Sequence, residues 1–240
     1  MAKKIKVLCS LVVFCLVMLI SGVNSYALNT GFTVDEISES RKESCIDSIK
    51  LTLVSEAPSG RSIVAFDVNE KGMIALGHDL PNLKKKISIY DSEGNFKYGY
   101  SFETHGSFDV EWDGDYLNIY FVRSDYLVTV DSDANIIDIV EVQNTRENQK
   151  YSMYYLGGTE RVVGDTKYTI RSDMGIFSFM QSSYSRLVKT SSDGAETILY
   201  DVNAILFAKR LIITIAVSIL VGVSLYIIFK PLLLNKEAND

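Results

Sequence analysis

Two continuous apolar runs flank a middle section in which short apolar stretches alternate with polar ones. The first run extends from Val7 to Ile20 and the second from Leu211 to Phe229. Between them, stretches rich in β-branched and aromatic residues are separated by Gly, Asn, Asp and Ser. This pattern is typical of strands joined by tight turns. The chain is therefore predicted to be all-β, with an apolar segment at each end.

The N-terminal run has the three parts of a secretory signal peptide. Lys3, Lys4 and Lys6 precede it, and a small-x-small motif ends at Ala27. Its 14 residues span about 21 Å as a helix, which is less than the ~30 Å hydrocarbon core of a bilayer. We expect residues 1–27 to be a signal peptide that is cleaved, with an uncleaved anchor as the alternative.

The C-terminal run is long enough to cross a bilayer. It holds 19 residues without a charge, between Lys209-Arg210 and Lys230. About 20 apolar residues suffice for a membrane span, and basic residues at both ends are common in such helices. We predict a transmembrane helix over residues 209–230 and a cytoplasmic tail over residues 231–240.

Small residues recur every four positions along this helix, at Thr214, Ser218 and Gly222. Small side chains at that spacing allow the backbones of two membrane helices to approach closely. We interpret these three residues as a possible helix-pairing face.

The charges predict the side of the membrane on which the middle section lies. Basic residues at the start of a chain stay in the cytoplasm, which places the section after the first apolar run outside. We therefore predict a single-pass protein of the cell membrane, with the lipid bilayer as a partner and the main domain extracytoplasmic.

The predicted outer section is acidic. Residues 28–208 carry 28 acidic residues against 17 basic ones, a net charge of −11. Such a surface repels phosphate groups, so no nucleic acid partner is expected. Cys45 is the single cysteine of this section, which excludes a disulfide within it.

A hairpin unit repeats along the middle section. A strand-like run, a turn of Asp, Ser, an acidic residue, Gly and Asn, and a second run occupy residues 86–102. Related units lie at residues 126–142 and 185–201. Asp91 and Asp131, which open the first two turns, are 40 residues apart. This is the length of a four-stranded propeller blade.

A second marker has similar spacing, since Phe66-Asp67 and Phe108-Asp109 lie 42 residues apart. The unit resembles the hairpin between the outer strands of blades in NHL-like and related β-propeller proteins, over about residues 60–202. The resemblance implies a partial or degenerate β-propeller of about three four-stranded blades, followed by the predicted C-terminal transmembrane helix. An outside domain without a disulfide indicates a membrane-anchored bacterial surface protein.

The predicted organisation is a polar N-terminal segment (28–48) and a propeller-like extracytoplasmic domain (49–204). Three blades do not close a ring. Residues 49–54 and 151–158 are candidates for an atrophied fourth blade. Alternatively, two chains complete a ring, or an open arc or sandwich has its edges covered by something else. The last two readings predict self-association or a protein partner that completes the β domain.

The polar residues offer no recognisable catalytic or metal-binding set. Asp131, Asp133 and Asn135 alternate as in a calcium loop, but the Gly and Glu of that motif are missing. An acidic hairpin turn is therefore the preferred reading. His78 and His105 are expected in solvated loops beside acidic residues. No catalytic residue, metal site or cofactor is predicted.

Apolar residues cluster where a loop is expected, between two predicted strands of the third repeat. We interpret them as a contact loop for a partner or the membrane, with a further strand as the alternative. They are Ile176, Phe177, Phe179 and Met180.

The predicted function is a membrane-anchored extracytoplasmic binding or interaction module that is not an enzyme. A rigid β scaffold that carries contacts on its loops suits this role. The alternatives are a lyase or hydrolase of surface polymers and an accessory subunit of a membrane complex.

Overall fold

The computed structural model of the protein describes residues 28–173, 175 and 183–237. The predicted signal peptide, residues 1–27, lies outside the described residues. So does the predicted contact loop with Ile176, Phe177, Phe179 and Met180.

Within the described residues, three antiparallel sheets and a long C-terminal helix make up most of the structure. The strands are β1 (Val34–Glu36), β2 (Thr52–Val54), β3 (Ala65–Val68), β4 (Ile74–Asp79), β5 (Lys84–Tyr90), β6 (Phe96–Glu103), β7 (Phe108–Asp113), β8 (Tyr116–Phe121), β9 (Tyr126–Val130), β10 (Ile136–Val142), β11 (Glu160–Val163), β12 (Thr166–Arg171), β13 (Arg186–Thr190) and β14 (Glu196–Asp201). The helices are α1 (Glu39–Ile49), α2 (Arg146–Lys150), which continues into a π-helical segment (Tyr151–Leu156), and α3 (Asn203–Glu237).

Each sheet is built from four consecutive antiparallel strands. Sheet 1 has the order β2-β6-β5-β4-β3, sheet 2 the order β1-β10-β9-β8-β7, and sheet 3 the order β11-β12-β13-β14. The fifth strand of sheet 1, β2, lies in residues 49–54, which were a candidate for part of an additional blade. The fifth strand of sheet 2, β1, comes from the polar N-terminal segment, which was expected to lie outside the β domain. The predicted β structure and the C-terminal apolar helix are confirmed.

Sheet 1 lies in the centre and is buried on both faces. Side chains alternate across a strand, so Ala65 and Ala75 join the cluster shared with sheet 2, whereas Phe66 and Leu76 join the cluster shared with sheet 3. Full burial of a Phe or Leu side chain stabilises the fold by about 1.5–3 kcal/mol relative to leaving it exposed. A Cβ at Gly77 would lie 2.8 Å from the Phe108 ring, so glycine allows sheet 2 to approach.

The other face of sheet 2 is covered by the N-terminal segment and the π-helical segment. Phe32 and Leu156 pack there against Tyr120, Leu127 and five further buried or partly buried residues of these segments and the sheet. By contrast, the outer face of sheet 3 carries exposed residues between the buried ones. The described layers therefore run from the helical segment through sheets 2 and 1 to sheet 3.

Residues 151–158, a candidate for part of an atrophied fourth blade, form no strand, and residues 151–156 are π-helical instead. The Thr145 side chain caps α2 by accepting from the Asn148 N–H at 3.2 Å. Buried Asn148 bonds to the backbone of Thr33 and Gln143 at 2.7–2.9 Å, which fixes the helix against the N-terminal segment. Local capping and a buried amide thus override the strand-like Tyr-rich composition.

His78 does not lie in a solvated loop as expected, but is fully buried in β4. Its Nδ1 lies 3.0 Å from the Ser62 carbonyl oxygen. Burial lowers the pKa of His78 to about 4, so the ring is neutral near neutral pH. Strand β4 continues through His78 to Asp79. Because sheet 1 is covered on both faces, His78 is buried there. His105 is exposed in a loop, as predicted.

Helix α3 follows β14 after a single residue, Val202. Its stretch Asn203–Ile228 has 26 residues and is long and apolar enough to cross a membrane, and none of its residues is buried by the rest of the chain. The helix begins six residues before the predicted boundary at residue 209. The first helical turn therefore lies next to the β domain, before the predicted membrane segment begins.

The Asp-containing hairpin turns are satisfied locally, which confirms the hairpin reading of Asp131. Its carboxylate accepts from the backbone N–H groups of Asp133 and Asn135 at 2.9 and 2.8 Å, and from the Asn135 amide at 2.8 Å. Asp91 makes the same contacts in the first repeat. In the third repeat Ser191 stands at this position.

We expect Asp131→Ala to lower the free energy of unfolding by about 1–2 kcal/mol, because two turn N–H groups lose their acceptor. Ser191→Ala serves as the matched control and should change it by less than about 0.5 kcal/mol. Urea titration of the full chain in nanodiscs, followed by fluorescence of the single tryptophan, measures both. Equal losses in the two variants would contradict the assignment.

Candidate functional site

The first strands of the three sheets meet in a buried polar centre. Arg161 of β11 donates from Nε to Asp67 Oδ1 of β3 at 2.6 Å. Asp67 Oδ2 accepts from the backbone N–H of Trp112 in β7 at 2.7 Å. The two charged side chains are only 6% and 5% exposed. One carboxylate and one guanidinium thus connect sheets 1, 2 and 3.

The remaining donors of Arg161 are used on backbone carbonyls. Nη1 donates to Gly158 and Glu160, and Nη2 donates to Phe66 and Leu156 at 3.3 Å each. The guanidinium carbon lies 4.9 Å from the Phe66 ring centroid and 4.8 Å from that of Tyr155. This set of contacts closes the space between sheet 3 and the π-helical segment.

Two further carboxyls of β7 border the same centre. Glu111 accepts from the Thr30 hydroxyl at 2.6 Å and from the Tyr151 hydroxyl, and burial raises its pKa. Burial also raises the pKa of Asp109 to about 6, against the opposing charge of Arg161. Asp109 and Glu111 are two residues apart on one strand, so they share a face of sheet 2. Asp109 is thus a carboxyl that exchanges a proton under mildly acidic conditions.

The backbone at Gly31 lies close against the ring of Tyr151 and holds this side chain in place. The ring of Tyr151 lies so near Gly31 that a Cβ at position 31 would fall 2.1 Å from it. Tyr151 also stacks on Tyr155, with ring centroids 4.9 Å apart. The N-terminal segment and the π-helical segment therefore hold Glu111 between them.

A cavity of about 820 Å³ opens beside the polar centre. The first hairpin turn of each sheet contributes to its wall, through Asn69, Gly114 and Gly164. The Asn69 amide donates to the Gly114 carbonyl at 3.2 Å, which joins the turns of sheets 1 and 2. Equivalent parts of three repeats therefore line one concave surface. Its charged lining residues are Asp67, Glu70, Lys71, Asp113 and Asp115.

Exposed apolar side chains border this cavity. Tyr155 and Val162 lie in its lining and are 46% and 70% exposed. Met153 and Tyr154, on the same helical segment, are 67% and 74% exposed. We refer to Tyr155 and Val162, which line this cavity, as the aromatic patch. Exposed aromatic and apolar side chains beside a concave surface are typical of contact sites.

The predicted helix-pairing residues lie on α3. Thr214, Ser218 and Gly222 are exposed along the helix. The Ser218 hydroxyl donates to the Thr214 carbonyl of the same helix at 2.8 Å, which satisfies it without a second chain. The structure of the single chain brings no other element to this face among the described residues.

The polar centre was not predicted from the sequence, although a signal for part of it was present. The repeated pairs Phe66-Asp67 and Phe108-Asp109 were used only to measure the repeat length. A charged residue that follows an aromatic one inside a strand-like run indicates burial with a partner, because an unpaired charge is rarely buried. The partner, Arg161, lies in a run with no such marker.

Among the described residues, no group of three or more His, Cys, Asp or Glu side chains is arranged to hold a metal ion. A comparison of the chain with protein-family models found no match, and a comparison with curated proteins also found none. The interpretation of the site therefore rests on its own geometry.

We expect Arg161→Met to lower the free energy of unfolding by about 3–5 kcal/mol, because Asp67 is left buried without its counter-charge. Lys167→Met is the control, since Lys167 pairs with Glu160 at 2.6 Å but both side chains are about half exposed. That variant should lose about 0.5 kcal/mol or less. Chemical denaturation of the full chain in nanodiscs compares the two, and a similar loss in both would contradict the buried-pair assignment.

Asp109 is expected to make the protein more stable as the pH falls from about 7 toward 4. Its pKa in the folded protein, about 6, lies above the usual value, so the native state binds the proton more tightly than the unfolded chain does. The stabilisation that comes from this proton is lost as the pH rises through 6. Asp109→Asn should therefore raise the free energy of unfolding at pH 8 by about 1–2 kcal/mol.

The measurement is the difference in unfolding free energy between the wild type and Asp109→Asn at each pH. His78 acts in the opposite direction, because its lowered pKa makes the protein less stable as the pH falls below about 6.5. His78 is present in both proteins, so its contribution cancels in the difference. A difference that does not change between pH 4 and 8 would refute the role of Asp109.

Proposed function

We propose that the protein is a membrane-anchored, extracytoplasmic binding module with three propeller-like blades. The observation that carries this proposal is the aromatic patch at the mouth of a cavity built from the first turns of all three sheets. A rigid scaffold that presents loops around one concave surface is suited to recognition.

The topology supports a partial propeller. Each sheet is a four-stranded meander, and the first strands β3, β7 and β11 meet through Asp67, Trp112 and Arg161. Propeller blades likewise place their first strands around a common axis. The π-helical segment lies between β7 and Arg161. We infer that it fills the position at which another blade would otherwise begin.

The helix supports the membrane anchor. Residues 211–228 carry no charge and are exposed on all sides of the helix, which is costly in water and favourable in lipid. The positive start of the chain, with Lys3, Lys4 and Lys6, favours an extracytoplasmic domain. The predicted signal peptide is consistent with the same placement.

The composition of the patch favours protein or polymer contact over catalysis. Tyrosine is enriched in interface positions that contribute most of the binding free energy, and Tyr155 is already held by stacking on Tyr151 and by the guanidinium of Arg161. A rigid aromatic residue loses little conformational freedom on binding. The acidic residues along the cavity favour a ligand with basic or hydroxyl groups.

We expect Tyr155→Ser combined with Val162→Ser to reduce recovery of bound protein or glycan at least about tenfold, the effect of losing 1.4 kcal/mol. The measurement is affinity capture of the full chain from crosslinked intact membranes. Ile137→Ser is the control, because Ile137 is a 38% exposed apolar residue on β10 away from the cavity. Unchanged recovery with the double variant, at unchanged unfolding midpoint, would overturn the proposal.

A further inference from the structure

The outermost strands of the three sheets are protected unequally. In sheet 1 the long strand β6 is covered by β2, which pairs through Thr52–Val54. In sheet 2 the long strand β10 is covered by β1, which pairs through Val34–Glu36. Both covering strands have three residues, and such short edge strands offer little backbone for further pairing.

Within the part of the chain that the structure describes, sheet 3 has no covering strand of this kind. Its last strand, β14, is six residues long and pairs with β13 on one side. No other strand among the described residues pairs with it. Ile198 on this strand is 50% exposed. We refer to β14 with its unpaired side as the free edge.

The backbone of the free edge has groups directed outward. The N–H of Val202 donates to the Ser185 carbonyl at 2.9 Å, toward β13. Successive N–H groups of a strand point to opposite sides. The N–H of Asp201 therefore points away from β13. It lies at the position along the strand that corresponds to the part of β10 paired with β1 and the part of β6 paired with β2.

The free edge lies directly above the membrane helix. Asn203, the first residue of α3, donates from its amide to the Asp173 carbonyl at 3.0 Å, and its Oδ1 accepts from the Ser185 hydroxyl at 2.9 Å. These bonds hold the start of the helix against the ends of β12 and β13. The C-terminal end of β14 is consequently the end nearest the bilayer.

We propose that the free edge accepts an extended segment of another membrane protein, which pairs antiparallel with β14 as a fifth strand. This proposal deepens the proposed function by naming a second contact surface and its partner. A strand antiparallel to β14 has its N-terminal end near the bilayer and runs away from it. The matching segment is the stretch that directly follows a membrane helix on the outer side.

The same geometry argues against β14 of a second copy. Two β14 strands paired antiparallel would direct their helices in opposite directions, so both could not enter one bilayer from the same side. Charge adds a further requirement. Glu196 and Asp201, at the two ends of the free edge, pair with Arg171 and Arg186 of sheet 3. The charge requirement therefore comes from the domain as a whole, since residues 28–208 carry a net charge of −11. A segment that alternates β-branched apolar residues with Lys or Arg is complementary to it.

The test places photoreactive benzoylphenylalanine at single positions of the full chain in its native membrane. Position 198 probes the free edge, and position 53 is the control, because Leu53 on β2 is 49% exposed. Position 155 probes the aromatic patch in parallel. We expect an adduct from position 198 but none from 53. The crosslinked residue of the partner should lie within about ten residues after one of its membrane helices, since a six-residue strand extends about 20 Å.

A second variant keeps the experiment informative if the probe at 198 disturbs the strand. With the probe at position 197, Ile198→Lys should reduce the adduct at least fivefold, because lysine on an edge opposes strand addition. No adduct from 197 or 198, an adduct with a second copy of this chain, or a crosslink far from any partner helix overturns the proposal. An adduct from 155 alone overturns the strand pairing and leaves the binding module standing, whereas adducts from neither surface overturn both.

Discussion

A guanidinium buried between three sheets is tolerated only where each of its donors meets an acceptor. Arg161 meets this condition with Asp67 and with backbone carbonyls from the π-helical segment, β3 and β11. Because these partners come from separate repeats, the pair is satisfied only when the sheets are assembled correctly. The contact specifies how three similar units are arranged, beyond the apolar burial that any two of them provide.

The candidate site depends on that arrangement. The cavity wall is made of one turn from each sheet, so it exists only after the first strands have met. Tyr155 contacts the Arg161 guanidinium from the outside of the centre, which connects the rigid interior to the exposed aromatic patch. Polar contacts in the interior thus place a side chain at the surface, where it is available to a ligand.

Much of the β architecture was predictable, because turn residues and the alternation of apolar and polar stretches are local signals in the sequence. The hairpins around Asp91 and Asp131 follow from residues that satisfy their own backbone. The apolar span follows from composition alone. The polar centre was not predictable, since the 94 residues between Asp67 and Arg161 contain no signal that the two meet. Residues 151–156 were misread because capping by Thr145 and the buried Asn148 amide, rather than strand propensity, decide their conformation.

The junction at Val202 has a mechanical consequence. Helix α3 follows β14 without a flexible linker, and its first residue is hydrogen-bonded to the sheet. This helix has 35 residues and is about 52 Å long, more than a ~30 Å hydrocarbon core would require if it spans a bilayer as proposed. Such helices adjust by tilting, on average by about 20°. With a stiff junction, a tilt of this size would move a point 30 Å above the bilayer sideways by about 10 Å. Bilayer thickness would then set the height and direction at which the domain faces its surroundings.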